Sequence, residues 1–161
     1  MYRVLFVCLG NICRSPTAEG VFRQLVRQAG LENKIETDSA GTAGYHIGEA
    51  PDRRSQKHAK ARGVDISDLR GQQIDSSHFV KFDLVLAMDN SNMRDLESVA
   101  PQDQLHKLQL FLRYARKFKQ EEVPDPYYGG AEGFEHVLDL VQDASEGLLE
   151  FIKTRLEASD S

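Results

Sequence analysis

The chain has 161 residues, 40% of them hydrophobic and 28% charged, with five prolines and a net charge of −5. Those proportions exclude a disordered chain, a collagen-like repeat and a membrane span, because no apolar run approaches the roughly 20 residues a spanning helix needs. Charge is uneven: residues 121–161 hold eleven acids against two bases, so the first 120 residues are net basic and can carry a local anion site. Nucleic-acid binding by bulk charge is not expected of an acidic protein. The length suits one domain over residues 1–161. Two cysteines, Cys8 and Cys13, make no disulfide scaffold and fit a reducing cytosol. No secretory signal is legible in the first residues, so a cytoplasmic location is expected.

Residues 3–8 read as a buried strand, nearly all apolar and rich in β-branched and aromatic types. Residues 9–14 contain Gly10 and Asn11 and read as a loop. Ser15-Pro16 has the form of a helix start, with Ser at the N-cap and Pro at the first helical position. Ala18, Val21, Phe22, Leu25 and Val26 mark a helical face that Gly30 closes. A strand is expected at 34–38 and a small polar loop at 39–44. Helices are expected at 52–63 and 76–81, and a second buried strand at 83–88. Asn90 or Ser91 would cap a helix to about Val99, and 105–110 would be a fourth strand. Residues 123–130 hold two prolines and two glycines and read as a loop. Apolar spacing from Phe134 to Leu156 marks a long terminal helix.

Strands alternating with helices predict an α/β fold: one parallel four-stranded sheet with helices on both faces and right-handed crossovers. Ligands in such sheets bind beyond the carboxyl ends of the strands, where Cys8 stands. The segment Cys8-Leu9-Gly10-Asn11-Ile12-Cys13-Arg14-Ser15 runs from strand through loop to helix N-terminus. Unpaired N–H groups and the helix dipole there favour an anion, so the loop reads as a phosphate-binding cradle. Gly10 permits backbone angles closed to other residues, and Asn11 tolerates left-handed ones. Arg14 adds a planar fork that takes two phosphate oxygens at once. The field that holds an oxyanion also stabilises a thiolate, which makes Cys8 a candidate nucleophile, with Ser15 able to donate to its sulfur. The alternative is a packed structural cysteine. An acid is still needed for the leaving group. Asp125 is the candidate: Pro124 and Pro126 stiffen its loop, and Tyr127 and Tyr128 offer an aromatic wall.

Taken together, the Cys8–Ser15 segment and Asp125-Pro126-Tyr127-Tyr128 resemble the low-molecular-weight protein tyrosine phosphatases. The likeness spans the chain and includes Ser39-Ala40-Gly41-Thr42 and Met88-Asp89-Asn90-Ser91-Asn92. It implies Cys8 as nucleophile, Arg14 as phosphate clamp and Asp125 as general acid. It further implies Asn11 as a brace of the loop, Ser15 as the donor to the thiolate, Ser39 as a support of Asn11, and Tyr45 as an aromatic opposite Tyr127 and Tyr128. Phosphotyrosine proteins would be the substrates, inorganic phosphate the product and inhibitor, and no cofactor, metal, nucleic acid or membrane would take part. Many members have a His shortly before an Arg-Gln pair after the second helix. Leu69 and Gln72 stand at those positions here, so the hydrogen bonds behind the loop are expected to differ.

Three rivals share the scaffold or its cradle. Arsenate reduction needs further cysteines, and none follows Cys13. A protein arginine phosphatase would be crowded by an apolar Ile12, which suits an aryl ring better. A non-catalytic anion-binding module would lack one of Cys8, Arg14 and Asp125, and all three are present. The five histidines show no metal-ligand spacing and are expected at the surface. The basic run Lys107, Arg113, Arg116, Lys117 and Lys119 reads as a solvated helix face. A Cys8–Cys13 disulfide would block the nucleophile reversibly, whereas Cys13 as a small packed residue would do nothing of the kind.

Overall fold

A computed structural model describes residues 1–127 and 129–160; Tyr128 lies outside the described residues. The chain runs β1 (Tyr2–Cys8), α1 (Arg14–Gln28), β2 (Ile35–Gly41), α2 (Arg53–Ala61), α3 (Ser76–Lys81), β3 (Leu84–Ala87), α4 (Asn90–Val99), β4 (Leu108–Leu110) and α5 (Ala131–Asp160). All pairings are parallel, in the order β2-β1-β3-β4, so β1 is central and bonded on both sides. Two-sided burial explains its unbroken apolar run.

Side-chain alternation along β1 divides the core. Val4, Phe6 and Cys8 face the cluster built with α1 and α5, while Leu5 and Val7 face Phe79, Phe82 and Leu96 on the other side. Phe6 anchors the first cluster, with edge-on rings from Phe22 at 5.7 Å and Phe111 at 5.2 Å. The same parity turns the Cys8 side chain to the face on which α1 begins.

Several boundaries differ from expectation. Helix α1 starts at Arg14, with Cys13 as an N-cap whose side chain does not cap the helix. Ser15 is inside the first turn because its hydroxyl is engaged with Cys8. The cap of α4 is Asp89, whose carboxylate accepts from the Asn92 N–H at 2.7 Å. Residues Gln102–Lys107 form a 3-10 turn, which leaves β4 only three residues, and Phe111–Tyr114 form another. The basic run therefore lies on two short 3-10 turns and a loop, not one helix face: Arg113, Arg116, Lys117 and Lys119 are exposed as expected, but Lys107 is half-buried and donates to the Phe79 carbonyl at 2.8 Å. That loop is pinned to α5, where Asp143 accepts from the backbone N–H groups of Arg116, Lys117 and Phe118. The pinned segment leads directly into Val123 and Asp125. No helix among the described residues is long and apolar enough to cross a membrane.

Candidate active site

The loop after β1 wraps around the N-terminus of α1 and turns back at Asn11. Its φ of 57° puts the left-handed residue at Asn11, which tolerates it, while Gly10 does not use its wider backbone freedom. The missing side chain of Gly10 serves space instead: a Cβ there would meet the His46 ring at 3.2 Å. Gly41 at the end of β2 lets the loop come close, since a Cβ there would stand 2.8 Å from the Leu9 carbonyl oxygen. Thr42 and Ala43 donate to the Cys8 and Leu9 carbonyls at 2.9 and 3.0 Å, and Asp52 to that of Ile12 at 2.8 Å. The loop is thus held from outside by its carbonyls. Its amides at Gly10, Ile12, Cys13 and Arg14 find no protein acceptor among the described residues, which is the arrangement an anion cradle needs.

Cys8 is 3% exposed at the floor of this cradle. The Asn11 N–H donates to its Sγ at 3.3 Å, and Ser15 Oγ stands 3.0 Å away. Asn11 Nδ2 donates to Ser15 Oγ at 2.8 Å and to Ser39 Oγ at 3.0 Å, while its Oδ1 accepts from the Gln72 N–H at 3.0 Å. Ser15 already accepts from Asn11, so its own hydrogen is available to the sulfur. Ser39 donates to Glu19 Oε1 at 2.7 Å. Gln72 extends the set, donating from Nε2 to Asp38 at 2.9 Å and to the Ser39 carbonyl at 2.8 Å. Leu69 packs against the hydrophobic core. The support behind the loop is therefore built from an amide, where the resemblance led one to look for an Arg.

Arg14 is buried at the wall of the cleft. One nitrogen, Nη1, donates to Asp89 at 2.6 Å and to the Val123 carbonyl at 3.0 Å; Nη2 lies 3.8 Å from Asp125 Oδ2. Burial works against its charge, but Cys8, Asp89 and Asp125 outweigh it and raise the guanidinium pKa further. The cleft is lined by Cys8, Leu9, Gly10, Ile12, Cys13, Arg14, Tyr45, His46, Asp125 and Tyr127. Every residue expected at the rim or floor is therefore there, except Tyr128, which is not described, and the three that work from behind: Asn11, Ser15 and Ser39. The Asp125 carboxylate also accepts from the Tyr127 N–H at 3.0 Å, which fixes the turn that presents both. Tyr45 is 75% exposed at the mouth.

Sequence reasoning missed Asp89, Glu19, His46 and Arg54. Asp89 opens the segment after β3, and a carboxylate before a helical run is a cap signal that could have been read. His46 was expected merely at the surface; it lines the cleft and pairs with Glu49. Arg54, on α2, stacks its guanidinium 5.2 Å from the Tyr127 ring centre and 4.9 Å from that of Phe134. Its position beside Tyr127 is a product of the fold alone. Cys13 is buried and free; burial pushes its thiol up to about 12 although the Ser55 hydroxyl pulls the other way. Among the described residues no group of three or more His, Cys, Asp and Glu is placed to hold a metal ion.

A thiol at the base of an amide cradle, an arginine fork and a carboxylic acid share one cleft, an arrangement suited to an oxyanion. The chain belongs to the low molecular weight phosphotyrosine protein phosphatase family, whose model matches residues 3–158. A low molecular weight protein-tyrosine-phosphatase of Streptomyces coelicolor is 45% identical over 159 residues, 97% of this chain and 96% of that one. A protein tyrosine phosphatase from Entamoeba histolytica, solved with Hepes in its active site, superposes with a TM-score of 0.91 at 40% identity over 100% of both chains. A Drosophila arginine phosphatase superposes at 0.86 with 34% identity over 93% of this chain and 97% of that one.

Proposed function

We propose that residues 1–161 act as one domain that hydrolyses phosphotyrosine in proteins, and small aryl phosphates, through a cysteinyl-phosphate intermediate. The observation that carries this reading is the convergence of Cys8, Arg14 and Asp125 on one cleft whose loop amides find no acceptor among the described residues. The Cys8 sulfur attacks phosphorus in line, and its bond to phosphorus forms as the bond to the phenolic oxygen breaks. Asp125 gives its proton to that oxygen. The loop amides and Arg14 hold the three equatorial oxygens as charge spreads over them. Asp125, now a base, takes a proton from water, which attacks phosphorus and releases inorganic phosphate and the thiolate. Phosphate, fitting the same cradle, is both product and inhibitor. The receptor supplies the positive field itself, so the reaction as written calls for neither metal nor cofactor. Two thiols without a disulfide suit a cytoplasmic setting.

The likeness to an arginine phosphatase makes phosphoarginine the second substrate to weigh. Apolar Ile12 in the cleft wall favours an aryl ring over a charged guanidinium. Hydrolysis of phosphotyrosine, phosphoserine and phosphoarginine peptides by the native protein and by Cys8→Ser tests the reading. Phosphotyrosine should be turned over by the native protein alone. Turnover by Cys8→Ser, or a preference for phosphoarginine, would overturn it.

A further inference from the structure

We propose that Glu19 is a positioning residue for the phosphate loop, the terminal acceptor of a directed set of hydrogen bonds that aims the Asn11 side chain and, through it, the Ser15 donor on Cys8. The proposal rests on the reading of Cys8 as the nucleophile.

Hydrogen counting gives the direction. The Asn11 amide nitrogen has two hydrogens, and they go to Ser15 Oγ and Ser39 Oγ at 2.8 and 3.0 Å. Its oxygen is fixed as an acceptor by the Gln72 N–H, so the amide cannot be turned over. Each hydroxyl, having accepted, must place its single hydrogen elsewhere. Ser15 places it on Cys8 Sγ at 3.0 Å, and Ser39 on Glu19 Oε1 at 2.7 Å. Without an acceptor at residue 19, the Ser39 hydrogen has no such outlet and competes with the Asn11 amide for the space between them. Asn11, Ser15, Ser39 and Glu19 are at most 4% exposed, so water does not replace a lost partner.

Glu19 is not there to complete an ion pair. Arg23, one turn along α1, is taken by Asp68 at 2.9 and 3.0 Å and by the Asp65 carbonyl at 3.1 Å. Arg23 makes no hydrogen bond to Glu19, though its charge still draws the Glu19 pKa down; Asp38 on β2 and Asp68 after α2 push the other way. An acid buried beside two others, with a hydroxyl as its hydrogen-bond partner, stays neutral to higher pH: burial raises its pKa to about 7, the Ser39 bond opposing the rise. Ionised Glu19 is the stronger acceptor, so the loop is best aimed once the group has lost its proton.

The test compares Glu19→Gln and Glu19→Leu with the native protein on an aryl phosphate between pH 5 and 8. Gln keeps an uncharged acceptor; Leu keeps bulk and no acceptor. Glu19→Leu should lose about tenfold in kcat with KM within about twofold. Glu19→Gln should fall between, and the kcat rise near neutral pH should vanish from its profile. Equal kcat in the Gln and Leu variants, or an unchanged pH profile in Glu19→Gln, would overturn the proposal. Should Glu19→Leu fail to fold, Ser39→Ala replaces it: adding Glu19→Gln to Ser39→Ala should cost nothing more, and an additive loss would overturn the proposal. A separate readout is the Asn11 side-chain amide resonance in NMR. It should shift as Glu19 titrates in the native protein and stay fixed in Glu19→Gln, and a resonance unmoved by pH would overturn the proposal. A native protein inactive on every aryl phosphate would instead refute the phosphatase reading, leaving the resonance test intact.

Discussion

Arg14 and Asp89 lie 75 residues apart in sequence and 2.6 Å apart in space. Asp89 has two tasks: one oxygen caps α4 through the Asn92 N–H at 2.7 Å, and the other holds Arg14 Nη1. The start of one helix thereby fixes the orientation of a side chain at the start of another. Asp89→Asn separates the two tasks, because Asn caps a helix about as well as Asp. Its melting temperature should stay within a few degrees of the native value, about what a change under 1 kcal/mol produces. kcat/KM should fall about tenfold to a hundredfold as the guanidinium loses its anchor. A loss of activity matched by an equally large loss of stability would tie Asp89 to folding alone.

Arg14→Lys keeps the charge and removes the fork. The variant should turn over nearly as poorly as Arg14→Ala, because planar contact with the transferring group is lost in both. Single-turnover rates on an aryl phosphate decide the matter, and a Lys variant close to native would mean that a point charge suffices.

Asp125→Ala should slow phosphates of poor leaving groups by on the order of 10²–10⁴. Phosphates whose phenolate departs as a stable anion should suffer less. The measurement is kcat across a series of substituted phenyl phosphates; equal losses along the series would assign the proton to another group.

Peroxide should oxidise Cys8 to a sulfenic acid, and the Cys13 thiol can then displace water to close a disulfide. Burial pushes the Cys13 thiol up to about 12, so closure should be slow near neutral pH and speed up in alkali. A thiol reductant should restore activity to the native protein and not to Cys13→Ser. Equal recovery in both would make Cys13 a packing residue only.

The Glu19 carboxyl also predicts a slope in stability. Its pKa in the folded chain is about 7, above the ordinary 4.5. Below pH 4.5 both folded and unfolded chains hold the proton and the group costs nothing. Between 4.5 and 7 the unfolded chain releases its proton while the folded chain keeps it, so stability falls as pH rises, by at most about 3 kcal/mol. Urea midpoints for native protein and Glu19→Gln should therefore converge at pH 4 and separate at pH 8 in favour of Gln. A constant difference across that range would show that Glu19 does not titrate in the folded state.

The sequence alone determined the order of strands and helices, the central buried strand ending at Cys8, and the loop that carries Arg14. These are local matters: apolar period, turn chemistry and the strand-to-helix junction are written in neighbouring residues. It also marked Asp125, because two flanking prolines single out one acid in a loop. It misplaced the cap of α1, since the pattern Ser15-Pro16 fits a helix start whereas Ser15 is drawn inward by the Cys8 sulfur. It overextended β4, because an apolar run does not reveal that Gln102–Lys107 turns in a 3-10 helix before pairing with β3 begins. The tertiary structure decided which of 25 acids serve the site. Asp89 meets Arg14, and Glu19 meets Ser39, only because β1 lies between β2 and β3 in a parallel sheet. That packing carries the ends of three strands to one edge, and a contact between chain segments 20 or 75 residues apart leaves no periodic trace in either segment.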